Sequence, residues 1–212
     1  IVCENQSRTI LSLESPVVIN SFLRTMYNLT DTYWLGKIGT GQLAGINLVT
    51  PMQNIITNFG SDITVAGAVL IAQYIGAGEK EDARSMANQI FACAMGFAVV
   101  CATLCFLGTP AIINWLGADG GTAYYARVYL RVVIWDMPFL YMVNIFSAVH
   151  QAQGDTVRPM FLNLGGITLN LFLDPFFMII LDLGTAGAAL ATLLAKAIPA
   201  MVAFGLLCRQ EN

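Results

Sequence analysis

Two aspartates, Asp31 and Asp174, stand in runs that are otherwise built to be buried in lipid. A charge at the centre of a bilayer costs about 3 kcal/mol even on lenient insertion scales, so an acid kept there is expected to do chemistry. Neither is isolated. Asn20, Arg24, Tyr27 and Asp31 are spaced four, three and four residues apart, which on a helix confines them to an arc of about 60°. Asn163, Gly166, Asn170 and Asp174 repeat the pattern at three, four and four, and Thr185, Ala188, Thr192 and Lys196 form a third stripe. Lipid cannot solvate such faces, so all three must point inward.

Depth brings the stripes to one level. At about 1.5 Å rise per residue, Asp31 lies roughly 7 Å below a turn at Gly36 and Asp174 roughly 12 Å below Asp182. On the same rise Thr192 is roughly 10 Å below Thr185, and Tyr129 is about 10 Å in from Thr122. Two carboxyls, an amide and two hydroxyls are thus expected to converge in the outer half of the membrane. Pro175 adds a free carbonyl at Leu171, to which it cannot donate. Oxygen atoms around paired acids suit a proton or a small hard cation. Tyr27, Arg24, Asn163 and Lys196 extend the stripes and are expected to line the adjoining cavity.

The elements that must carry these residues follow from composition. Of 212 residues, 57% are hydrophobic and 11% charged, against about 25% charged in soluble domains, which marks a membrane protein. A crossing needs about 20 apolar residues, and the chain divides into six: 9–35, 40–74, 83–113, 123–148, 159–181 and 186–207. These six helices are expected to form one all-α transmembrane lobe over 1–212. The runs are too long for the strands of an outer-membrane barrel. Thr40 is a plausible N-cap for the second helix. No basic cluster suggests nucleic acid.

Arg8, Lys80, Arg84, Arg158 and Arg209 fall on one side of the membrane and Lys37, Arg127 and Arg131 on the other. The excess places both termini in the cytoplasm. The chain lacks an initiator methionine and a signal-peptide layout, so it is expected to begin partway into a longer reading frame. Cys101 and Cys105 share a helix face without a nearby histidine, which favours packing over metal binding.

Four segments, "YNLTDTYWLGKIGTGQLAG", "AQYIGAGEKEDAR", "QGDTVRPMFLNLGGITLNLFLDP" and "LGTAGAALATL", come in an order that resembles the amino-terminal lobe of multidrug and toxic compound extrusion (MATE) transporters. The resemblance runs from about Ile10 to Leu207. It implies an antiporter of the cell's inner (plasma) membrane that exports drugs or organic cations in exchange for protons or sodium, with two six-helix lobes related by an axis along the membrane normal. It also implies that Asp31 is the family's helix-one acid, Asn170 and Asp174 its helix-five pair, Thr192 its helix-six hydroxyl and Tyr129 a tyrosine beside the same site. A sodium ion, if used, would then sit at Asp31, Asn170, Asp174 and Thr192. No cofactor beyond the coupling ion is expected.

The sequence also departs from the family. Arg24 and Lys196 stand where the family has neutral polar residues, free either to pair with the acids or to snorkel toward the cytoplasmic side. Asp62 replaces a small residue and has no obvious partner. A second lobe must come from further chain or from a second copy. A lipid-linked oligosaccharide flippase of the same superfamily and a non-transporting membrane scaffold are the alternatives. An enzyme is not expected: the signature of intramembrane aspartyl proteases fails, because Ala152 stands where "QAQGD" would need glycine. His150, next to a loop, is read as interfacial. The sequons at Asn5 and Asn28 are read as chance, one cytoplasmic and one inside the first helix.

Overall fold

The computed structural model describes residues 18–210 except 20, 24 and 38. Asn20 and Arg24, two members of the first stripe, therefore lie outside the described residues, as do 9–17 of the first expected helix. The described residues are almost wholly helical. Helix α1 covers 18–37. It is followed by α2 (Thr40–Ala77), α3 (Lys80–Trp115), α4 (Gly120–Val133), α5 (Met137–Ala152), α6 (Val157–Pro175) and α7 (Gly184–Gln210). After α1, five spans are long and apolar enough to cross a membrane, with α4 and α5 joined as one, Gly120–Ala152. Large apolar side chains such as Trp115, Leu107 and Ile180 remain exposed, as a lipid-facing surface requires.

Several helix ends differ from expectation for local reasons. Thr40 is not the cap of α2 but its first residue; Gly39, at φ 140°, precedes it, and its carbonyl accepts from Leu43 N–H at 3.1 Å. The other end of α2 runs on to Ala77 and closes at Gly78, whose φ of 81° is left-handed. There Glu79 N–H reaches back to the Tyr74 carbonyl at 3.0 Å, the bond that ends many helices. Helix α3 begins at Lys80, ahead of Ala83, because Glu81 and Asp82 fall in its first turn, where acids complement the helix dipole.

Two of the expected continuous helices are interrupted. A single 3₁₀ turn, Ile134–Asp136, separates α4 from α5. Pro138 lies just inside α5, and a proline there removes the N–H that would continue the α pattern back to Ile134. Pro175 similarly ends α6, and the residues after it, Phe176–Ile180, form a π turn.

Close packing depends on small residues. Helix α2 packs on α3, α4 and α5, and α7 on α4, α5 and α6. Ala188, Ala189, Ala191, Ala195, Ala200 and Ala203 are the buried face of α7. A Cβ at Gly166 would stand 3.1 Å from the Ala195 carbonyl, so α6 and α7 touch backbone to backbone. Gly60 leaves the space filled by Tyr141, whose ring would lie 1.8 Å from an added Cβ. That fit lets the Tyr141 hydroxyl donate to the Ile56 carbonyl at 2.8 Å.

Candidate functional site

Helix α6 is fixed on α7 by the Gly166 contact, and this places two of its polar residues inside the bundle. Asp174 is fully buried and Asn170 is 2% exposed. Thr192 of α7 and Tyr129 of α4 are buried beside them, while Tyr27 and Asp31 on α1 are half-buried. The Asp31 and Asp174 carboxyls face each other closely enough to interact directly. Tyr129 stands within electrostatic reach of both. Tyr27 is close enough to Thr192 and to both acids to interact with them. Thr192 donates its own proton to the Ala188 carbonyl at 3.0 Å, which leaves its oxygen free to accept.

What the cluster lacks is hydrogen bonds. Neither oxygen of Asp174 and neither polar atom of the Asn170 amide has a hydrogen-bond partner among the described residues. The amide lies beside the Asp174 carboxyl but outside hydrogen-bond geometry. Buried polar atoms are nearly always satisfied, and the repulsion between two facing acids is relieved by a proton or a cation held between them. The donor set is two carboxyls, one amide and hydroxyl oxygens, all hard oxygen ligands suited to sodium as well as to a proton. Among the described residues no group of three or more histidines, cysteines or acids could hold a metal ion.

Other residues singled out from the sequence fall elsewhere. Asn163 is half-buried and seven residues before Asn170, so it sits about 10 Å along α6 from the cluster. Asp62 is exposed on α2. Cys105 packs in the apolar core, with Cys101 against it. His150, in the last turn of α5, is 1% exposed, its Nδ1 is 2.9 Å from the Phe146 carbonyl, and its ring packs tilted against Phe146. It lines an open cleft of about 490 Å³ with Arg158, Phe161 and Leu206, at the far end of α6 from Asp174.

Lys196 neither snorkels nor pairs with Asp31 or Asp174. Its ammonium forms an ion pair with Asp136, a carboxylate whose side chain is only 1% exposed. Sequence reasoning missed Asp136. The available signal was its position seven residues after Tyr129, two turns along the same face, and its place just before Pro138. The other Asp136 oxygen, Oδ1, has no partner among the described residues.

A polar cluster on α1, α4, α6 and α7 of an all-helical lobe is also where comparison with known proteins leads. The MatE family profile matches residues 16–176. The chain belongs to the MatE family. Its relatives include the multidrug export protein MepA of Staphylococcus aureus strain NCTC 8325, 26% identical over 197 residues, which are 92% of this chain and 43% of that protein. MepA of Staphylococcus saprophyticus is 24% identical over 88% of this chain and 42% of its own length. Among solved structures, the outward-facing conformation of a multidrug resistance MATE transporter matches with TM-score 0.91 and 27% identity, over 96% of this chain and 45% of that one. A superfamily transporter from Pyrococcus furiosus, described as having a binding pocket of reversed polarity, matches with TM-score 0.87 and 28% identity, over 92% of this chain and 43% of that one. The chain thus spans less than half the length of the MatE relatives it matches. These comparisons and the five apolar spans make it a lobe of a multi-pass membrane protein of a multidrug-efflux family.

Proposed function

We propose that this lobe carries the coupling-ion site of an antiporter that exports drugs or organic cations against an inward flow of protons or sodium. The observation that supports this best is the facing pair Asp31 and Asp174, with no hydrogen bond to Asp174 or Asn170 among the described residues. A cation between the carboxyls, helped by Asn170 and the oxygens of Thr192, screens their repulsion and holds α1 against α6. Its departure leaves two acids opposed in a medium of low dielectric, where like charges repel strongly. Ion occupancy therefore biases the packing of α1, which is what exchange requires of a coupling site. Tyr129 and Tyr27 close the sides of the pair.

The full transport path needs a second six-helix body against which this lobe can rock, whether from further chain or a second copy. The protein would lie in the inner (plasma) membrane, in contact with its lipid, with both termini cytoplasmic. Lys196, the described basic residue that kept a flippase in view, is neutralised by Asp136, which favours a cationic small-molecule substrate over an anionic lipid-linked one. Assays on the native-length protein separate the readings. Drug resistance lost in Asp31→Asn and Asp174→Asn supports the antiporter; lipid-linked sugar transfer without drug export supports the flippase, and neither activity supports a scaffold. The orientation is checked with an impermeant thiol reagent, which should reach Cys3 and Cys208 only from the cytoplasmic side.

A further inference from the structure

The ion pair beside the site bears on how the site empties. Lys196 lies one turn after Thr192 on α7, so its flexible stem starts at the edge of the cluster. Its side chain is 30% exposed while that of Asp136 is 1% exposed. One partner is enclosed, on the 3₁₀ turn ahead of Pro138, and the other is on a long, partly exposed arm. Lys196 is also within electrostatic reach of Asp31, and Tyr129 is within reach of Asp31, Asp136 and Asp174. The charged groups near Lys196 are thus Asp136, on the turn between α4 and α5, and Asp31 on α1, with Tyr129 of α4 in reach of both acids.

We propose that Lys196 is a tethered rival of the coupling cation, and that Asp136 is the positioning residue that holds its ammonium off the Asp31–Asp174 pair while the cation is bound. This rests on the coupling-site reading above. Lysine suits the role as a compact point charge on a four-carbon stem, able to change partners by rotation alone. When the cation leaves, the ammonium can turn from Asp136 toward Asp31 and spare the emptied pair its repulsion; a returning cation must displace it. A mobile charge that binds in the same place as a ligand lowers that ligand's apparent affinity, and its holder raises it.

The test is the cation concentration for half-maximal drug efflux, measured with protons and with sodium on the native-length protein in everted vesicles. Asp136→Asn frees Lys196 and should raise that concentration about tenfold or more, within the usual span of coupling between sites. Asp136→Asn combined with Lys196→Gln removes the rival as well and should return it to near the wild-type value. Asp136→Glu keeps the pair and should behave as wild type, which guards against reading a folding defect as a positioning one. Cation-dependent thermal stabilisation of the purified variants should follow the same order. An unchanged value in Asp136→Asn, or a double variant as impaired as that single one, overturns the inference. Normal coupling in Asp31→Asn and Asp174→Asn would instead remove the coupling site itself.

Discussion

Two buried acids a short distance apart have opposite fates in this lobe. Asp136 is given a lysine, and Asp174 is given another acid. Both are taken out of water, at a cost that only a partner can offset. For Asp136 the partner is covalently part of the chain and always within reach of it. For Asp174 no hydrogen bond forms among the described residues, and on the proposed function its partner arrives from solution. The fold thus pairs one acid within the chain and leaves its neighbour without a hydrogen bond among the described residues.

The largest effect on stability should come from breaking the satisfied pair. Lys196→Met leaves Asp136 buried without its cation and should cost roughly 3 kcal/mol, the low end for a buried pair since Lys196 is partly exposed. Thermal unfolding in detergent measures it. Asp174→Asn should do the reverse, leaving stability unchanged or raising it by about 1 kcal/mol, because it removes an unsatisfied buried acid. Equal destabilisation by the two variants would erase the contrast between the two acids. The neutral ligands come next. Asn170→Ala and Thr192→Ala should each weaken apparent cation affinity about three- to tenfold, the worth of one hydrogen-bond-like contact, read from the ion dependence of efflux. Smallest is Tyr141→Phe, whose hydroxyl bonds a backbone carbonyl and neither acid. Losing the bond to Ile56 should lower stability by about 1 kcal/mol and leave coupling unaltered.

The contrast also marks what could be read from the chain alone. Charge-free apolar runs made the helices visible, because a membrane filters composition so strongly. Asp31, Asn170, Asp174 and Thr192 were legible because each belongs to a stripe with helical spacing, and lipid leaves such a stripe only one direction to face. Asp136 was not, since its own helix carries just Tyr129 as a companion on that face and its true partner, Lys196, lies 60 positions away. Pairing of that kind is a property of packing, not of period. The same holds for Gly60, whose meaning depends on the ring of Tyr141. The 3₁₀ and π turns were signalled by Pro138 and Pro175, but a proline says where regular bonding fails and not what replaces it.

The most direct test reconstitutes the native-length protein in liposomes and follows substrate-driven cation movement, with a proton dye or radioactive sodium. Wild type should carry a cation for each exchange of drug. Asp31→Asn and Asp174→Asn should insert and fold normally, as judged by unfolding temperature, yet show no drug-driven cation flux with either ion. Cation flux at the wild-type rate in both variants would contradict the assignment and make the facing acids part of the scaffold alone.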